Sequence, residues 1–149
     1  MISKILIATD GSKTAWKALE YSVELAKQTD ATVIVLAVID KSLFVTRSIP
    51  SMMTPTHIRE PLEDYLRQVA ETDFEKAERL FRKKGVRSRK FIRTGHPVEE
   101  ILKEAQKSKA DLIVAGSHGR SALKAAVLGS VAFGVIHKDA EIPVLVVRR

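Results

Sequence analysis

The sequence contains no cysteine, which excludes disulfides and any thiolate-held metal. No stretch approaches the roughly 18 consecutive apolar residues that a membrane-spanning helix needs. The first residues, Met1-Ile2-Ser3-Lys4-Ile5, pass directly into a strand pattern, so the expectation is a chain without a signal peptide, in the cytoplasm and off the membrane. Aromatic residues make up only 5%, too few for the base-stacking platform of single-strand nucleic-acid binders. Two catalytic patterns are also missing, the G-x-x-x-x-G-K-[ST] phosphate loop and the G-x-S-x-G nucleophile elbow. His57, His96 and His137 read as structural or exposed, so no protein-held metal site is expected.

What remains is an ordinary globular composition: 149 residues, 45% hydrophobic and 29% charged, enough for one domain spanning 1–149 with a real core. The net charge of +7 favours anionic partners in general. Much of it is local. Arg82, Lys83, Lys84, Arg87, Arg89, Lys90 and Arg93 follow one another with no acid between them. A solvated helix end and an exposed edge strand explain such a run, and a nucleic-acid patch is the less favoured alternative.

Along the chain, Lys4 to Asp10 is a short apolar run of the kind buried on both faces of a sheet. Ser12 can cap a helix whose apolar face is Ala15, Ala18, Leu19, Ser22, Leu25 and Ala26, ending near Thr29. Ala31 to Ile39 is a second buried strand. Residues 41–57, with Pro50, Pro55 and several apolar side chains, read as a flexible loop, a flap or partner surface. A helix is expected from Pro61 to Lys84, with Gly85 as its C-cap. Val86 to Thr94 is a polar strand suited to a sheet edge. Pro97 opens a helix on Val98, Ile101, Leu102 and Ala105, Leu112 to Ala115 is a fourth strand, a helix runs from Val131 to about Lys138, and Pro143 to Val147 closes the chain as a strand. Strands alternating with helices define an α/β fold: a single-domain, open, parallel five-stranded sheet of order 3-2-1-4-5, Rossmann-like, with helices on both faces. In that order strands 1 and 4 are neighbours at the topological switch point, where ligands bind. Asp10 ends the first and Gly116 the second.

The fourth strand leads into Gly116, Gly119 and, after nine intervening residues, Gly129-Ser130, which place three of the chain's seven glycines in one corner. Gly116 permits a turn, and Gly119 lets loop amides approach an anion without an intervening Cβ. Gly129-Ser130 opens a helix whose N-terminal amides and dipole suit phosphate. Ser117, Ser121 and Ser130 are candidate phosphate ligands or phosphorylation acceptors. His118 is expected to be a solvated loop residue.

The spacing G-2x-G-9x-G-S, with the opening Ile-Leu-Ile-Ala-Thr-Asp-Gly-Ser and the segment Asp111 to Arg120, resembles the signature of the universal stress protein family in its ATP-binding branch. The resemblance runs the length of the chain. Phe133-Gly134 departs from it, where family members more often carry a polar or acidic residue and then a small one. The resemblance implies an ATP-bound homodimer of the stress response, with an adenine nucleotide alpha hydrolase-like fold. By matching position, Thr9 and Val38 would meet adenine or sugar, and Asp10 the ribose or the metal and phosphates. Gly116, Gly119, Arg120, Gly129, Ser130 and Val131 would line the phosphates, which Mg2+ or Mn2+ would bridge.

No catalytic constellation stands out, so the reading is a nucleotide-dependent regulatory module whose upper limit as an enzyme is slow ATP hydrolysis. The alternatives are a slow hydrolase or adenylating enzyme on the same scaffold, or an ATP-independent interaction protein. The apolar last strand, exposed at a sheet edge, is expected to pair two copies of the chain through residues 143–148.

Overall fold

A computed structural model describes residues 1–44, 56–119, 128–138 and 141–148. The elements follow in the order β1 (Lys4–Ala8), α1 (Lys13–Thr29), β2 (Thr32–Asp40), α2 (Thr56–Lys84), β3 (Ser88–Gly95), α3 (Pro97–Ser108), β4 (Leu112–Gly116), α4 (Ser130–His137) and β5 (Val144–Val147). All strand pairs are parallel, and the sheet order is β3-β2-β1-β4-β5. The expected architecture and strand order are therefore what the chain adopts.

Side chains alternate across the central strands and divide the interior in two. Ile5, Ile7, Val33, Val35, Leu112 and Val114 join Leu19 and Val23 of α1 and Phe74 and Phe81 of α2 in one cluster. Leu6, Ile34, Leu36 and Ile113 join Ile101 and Ala105 of α3 and Val135 of α4 in the other. Each strand side chain sealed this way contributes about 1.5–3 kcal/mol of apolar burial. Both faces of β1, β2 and β4 are thus consumed, which is why these segments read as continuous apolar runs rather than as alternating ones.

Helix ends carry the local signals. The Ser12 hydroxyl accepts the Ala15 N–H at 3.1 Å and caps α1. Gly85 sits at φ +69 behind α2, and Val86 N–H returns to Phe81 O at 2.9 Å. Two further helices end on residues without glycine's freedom: Asp30 after α1 and Lys109 after α3 adopt left-handed φ of 57 and 58. Their N–H groups close on Ala26 O and Ala105 O.

Two boundaries differ from expectation. The helix placed at Pro61 begins at Thr56, so Pro61 lies inside α2. Lys41–Phe44 form a short 3₁₀ turn rather than loop, and the rest of the expected flexible stretch, 45–55, falls outside the described residues.

Gly134 sets the approach of α4 to α3, because a Cβ built there would stand 2.6 Å from Val98 Cγ2. Trp16, the single tryptophan, packs against the α1–α2 cluster, with the Lys76 ammonium 4.5 Å above its ring.

Candidate functional site

The carboxyl end of β1 turns tightly into α1. Thr9 N–H reaches Leu36 O on β2 at 2.9 Å, and its hydroxyl oxygen accepts from Gly11 N–H at 3.2 Å. Gly11 holds φ +76, where a Cβ is disfavoured. Asp10 Oδ1 accepts from Ser12 N–H at 2.9 Å, an Asx turn that fixes the carboxylate at the mouth of the crevice.

β4 arrives beside it. A Cβ on Gly116 would lie 2.9 Å from Thr14 Cγ2 and 3.1 Å from the Thr14 carbonyl carbon, so the missing side chain lets the strand end close onto α1. A Cβ on Gly119 would lie 2.6 Å from Asp10 Oδ2. Glycine at 119 is therefore what brings the β4 loop up to the β1 aspartate. Gly129 packs onto the same loop, its absent Cβ 3.0 Å from Ser117 O and 3.1 Å from His118 Cα.

Ser117 ties three pieces together. Its N–H donates to Val147 O of β5 at 2.8 Å, and its carbonyl accepts Gly129 N–H at 2.6 Å. Its hydroxyl lies 2.8 Å from His118 Nδ1. Both side chains are buried, Ser117 at 3% and His118 at 8% exposure. The solvated histidine expected from the loop sequence is instead a buried brace. Alternating burial cannot be read in irregular backbone, so only the neighbouring serine hinted at this.

Gly129 N-caps α4 without any side-chain hydrogen bond. The first helical bond is Phe133 N–H to Gly129 O at 2.9 Å. The N–H groups of Ser130, Val131 and Ala132 thus have no partner among the described residues, and the helix dipole adds positive potential at the same point.

Thr9, Asp10, Gly116, Ser117, Gly119, Gly129, Ser130 and Val131 accordingly converge at one end of the sheet, over the β1–β4 gap. Val38 stands one strand away on β2, half-buried on the α3 side, two residues beyond the Leu36 carbonyl that receives Thr9. Val131 turns its side chain into the α3–α4 core, so it faces the corner through its backbone. Arg120 and Ser121 lie outside the described residues. Among the described residues no group of three His, Asp or Glu side chains is placed to hold a metal ion, and no helix is long and apolar enough to cross a membrane.

At the opposite end of β4, Asp111 accepts from Ser3 N–H at 2.8 Å, Ser3 Oγ at 2.9 Å and Lys4 N–H at 2.9 Å. These bonds, the Ser3 backbone N–H foremost, hold its carboxyl below the usual carboxylate range. The clamp sets β1 against β4 and so sets the gap above.

The basic stretch is mostly neutralised in place. Arg82 and Lys90 lie 3.1 and 3.4 Å from Glu78, Lys84 3.1 Å from Glu24, Arg87 3.6 Å from Asp30 and Arg93 3.0 Å from Glu104. Lys90, then Arg82, keep the Glu78 carboxyl below its ordinary value. Only the Arg93–Glu104 pair is substantially buried, and exposed pairs of the other kind contribute little to stability.

A parallel five-stranded sheet of order 3-2-1-4-5, with a glycine-lined corner at its switch point, defines a doubly wound α/β domain. The chain belongs to the universal stress protein family, which it matches over residues 1–148. It is 36% identical over 149 residues to universal stress protein MJ0531 of Methanocaldococcus jannaschii, covering all of this chain and 84% of that one. Its fold is similar to that of MJ0577 from the same organism, the subject of a structure-based assignment of biochemical function. That likeness has a TM-score of 0.88 at 34% identity and covers 100% of this chain and 97% of that one. A universal stress protein family member from Arabidopsis thaliana, solved with AMP bound, shares the fold at a TM-score of 0.66 and 22% identity, over 99% and 92% of the two chains.

Proposed function

We propose that this universal stress protein is an ATP-binding regulatory module acting in the cytoplasm, with Mg2+ or Mn2+ bridging the phosphates. The observation that carries the reading is the corner itself: three α4 amides without a partner among the described residues, beside a glycine loop pressed against Asp10. Each charge-assisted hydrogen bond contributes roughly 1.5–3 kcal/mol, so three or four suffice for micromolar binding after association costs.

Gly119, Ser130 and Val131 hold phosphate through backbone N–H groups, with Ser130 Oγ added, while Gly129, its own N–H bound to Ser117 O, lets the helix start lie close against the loop. Arg120 and Ser121 complete the loop, and Gly116 and Ser117 hold it in position. Asp10 takes the ribose or the metal, while Thr9 and Val38 border the adenine and sugar. The AMP seen in the Arabidopsis relative supports an adenine nucleotide as a ligand that this fold accommodates. Bound nucleotide alters contacts with other proteins, and two copies associate through residues 143–148.

Native mass spectrometry of the purified protein, followed by calorimetric titration with Mg–ATP, tests the reading. ATP should be retained or bind at micromolar concentration, and remain ATP. In Gly129→Val the new side chain meets loop backbone at 3.0 Å, so affinity should fall by about tenfold or more, or roughly 1.4 kcal/mol. Unchanged affinity would overturn the phosphate assignment, and turnover to ADP within minutes would make the chain a hydrolase.

A further inference from the structure

Strand β3 forms one end of the sheet, and its pairing with β2 runs the full eight residues, from Val33 opposite Ser88 to Asp40 opposite Gly95. Arg87 carbonyl accepts Val33 N–H at 2.9 Å, which fixes the sense of the strand: alternate residues from Arg87 onward turn their backbone groups to β2. Ser88, Lys90, Ile92 and Thr94 therefore turn theirs outward. Among the described residues no strand pairs with that outer edge.

The two faces beside the edge differ. On the α3 side, Arg89 and Arg93 flank Phe91, their guanidinium carbons 5.4 and 4.9 Å from its ring centre. Arg93 is held by Glu104, whereas Arg89 has no carboxylate partner among the described residues. On the α2 side, a hollow of about 70 Å3 opens next to the start of β3, lined by the apolar Val35, Phe74, Ala77 and Phe81 and by the polar Glu78, Ser88, Arg89 and Lys90. A hollow lined half by apolar side chains, with the Glu78–Lys90 ion pair in its wall, thus lies on one side of a strand edge that no described strand covers, and the Arg89 and Arg93 guanidinium groups lie on the other.

The geometry points to the outer edge of β3 as the docking site of an extended, acidic peptide segment from a partner protein, added to the sheet as a further strand. Main-chain hydrogen bonds to the outward-facing residues supply affinity, and alternate side chains supply specificity. Acidic side chains of the segment meet Arg89 and Arg93, while a short apolar side chain on its other face enters the hollow. The same charges repel the edge of a second copy of this chain, so the edge selects its partner by sign. A nucleic acid fits less well. The only aromatic ring on the strand is half-buried against the α3-side core with guanidinium groups over it, which leaves no open platform for a base.

The test uses the full chain and an acetylated, amidated peptide alternating glutamate and valine, which would present its carboxylates to the face that carries the arginines and its valines to the face that carries the hollow. Amide hydrogen exchange should slow by about tenfold or more at Ser88, Lys90, Ile92 and Thr94 when the peptide is bound at saturation. The same peptide N-methylated at alternate residues should give no protection. Arg89→Glu, an exposed charge reversal that leaves the core untouched, should weaken peptide binding by about tenfold. Lys90→Pro, which removes one outward N–H, should abolish it. Absence of protection at these four residues, or peptide affinity unchanged in Arg89→Glu, would overturn the assignment. Protection by oligothymidylate in place of the peptide would overturn it too, and give the surface to nucleic acid.

Discussion

Asp111 accepts three hydrogen bonds from the first strand's lead-in, and its lowered carboxyl range makes that contribution pH-dependent. A group whose folded pKa lies below its unfolded value stabilises the protein fully above the unfolded range, about pH 4 for a carboxylate, and ceases to do so as pH falls through the folded value. Asp111→Ala should therefore cost about 1–2 kcal/mol at neutral pH. It should also flatten the acid limb of a stability-against-pH curve from urea unfolding. Gly134 makes a second prediction at this scale. Gly134→Ala forces a methyl to within 2.6 Å of Val98 Cγ2 and should destabilise by about 1–3 kcal/mol, largely recovered by adding Val98→Ala in a double-mutant cycle. The Phe133-Gly134 departure from the family's usual residues thus coincides with a close α3–α4 contact. Single residues were the least legible part of the sequence. Glycines announced themselves because only their backbone role explains their spacing. His118 and Asp111 did not, since their partners lie in irregular backbone or more than a hundred residues away.

At the scale of elements, α1 begins where Ser12 supplies an acceptor to Ala15 N–H, while Ser12's own N–H is held by Asp10. Ser12→Ala should destabilise the fold by about 1 kcal/mol, measured by chemical denaturation, with helix content by circular dichroism unchanged below the transition. The strands were legible because a segment sealed on both faces must be apolar throughout, and because β3, with its outward Arg and Lys residues, could only be an edge. Helix ends were legible where Ser, Pro or Gly marks them, as at Ser12, Pro97 and Gly85. They were not legible at Asp30 and Lys109, which take the left-handed conformation without a glycine. The start of α2 was misread for a related reason: Pro61 suits a first helical position, yet helix already precedes it from Thr56.

For the whole molecule, β5 ends the sheet opposite β3 and is apolar and half-open along Val144 to Val146. Ile113 N–H bonds Pro143 O and Ser117 N–H bonds Val147 O, so Val144 and Val146 direct their backbone outward. The expected outcome is a dimer by light scattering at micromolar concentration, which Val146→Pro converts to monomer by removing one outward N–H. Strand order was readable because a parallel sheet built from short crossovers admits few arrangements, and the site followed from the order. What the order could not convey is which loop groups remain bare once the chain has packed, since that depends on contacts such as Ser117 with Val147 and Gly129. A last consequence follows from the lone indole under the Lys76 ammonium. With no second tryptophan to dilute its emission, the chain carries a built-in fluorophore one helical turn past Ser12, so solvent reaching that ring on unfolding is visible by light alone, without a dye or label.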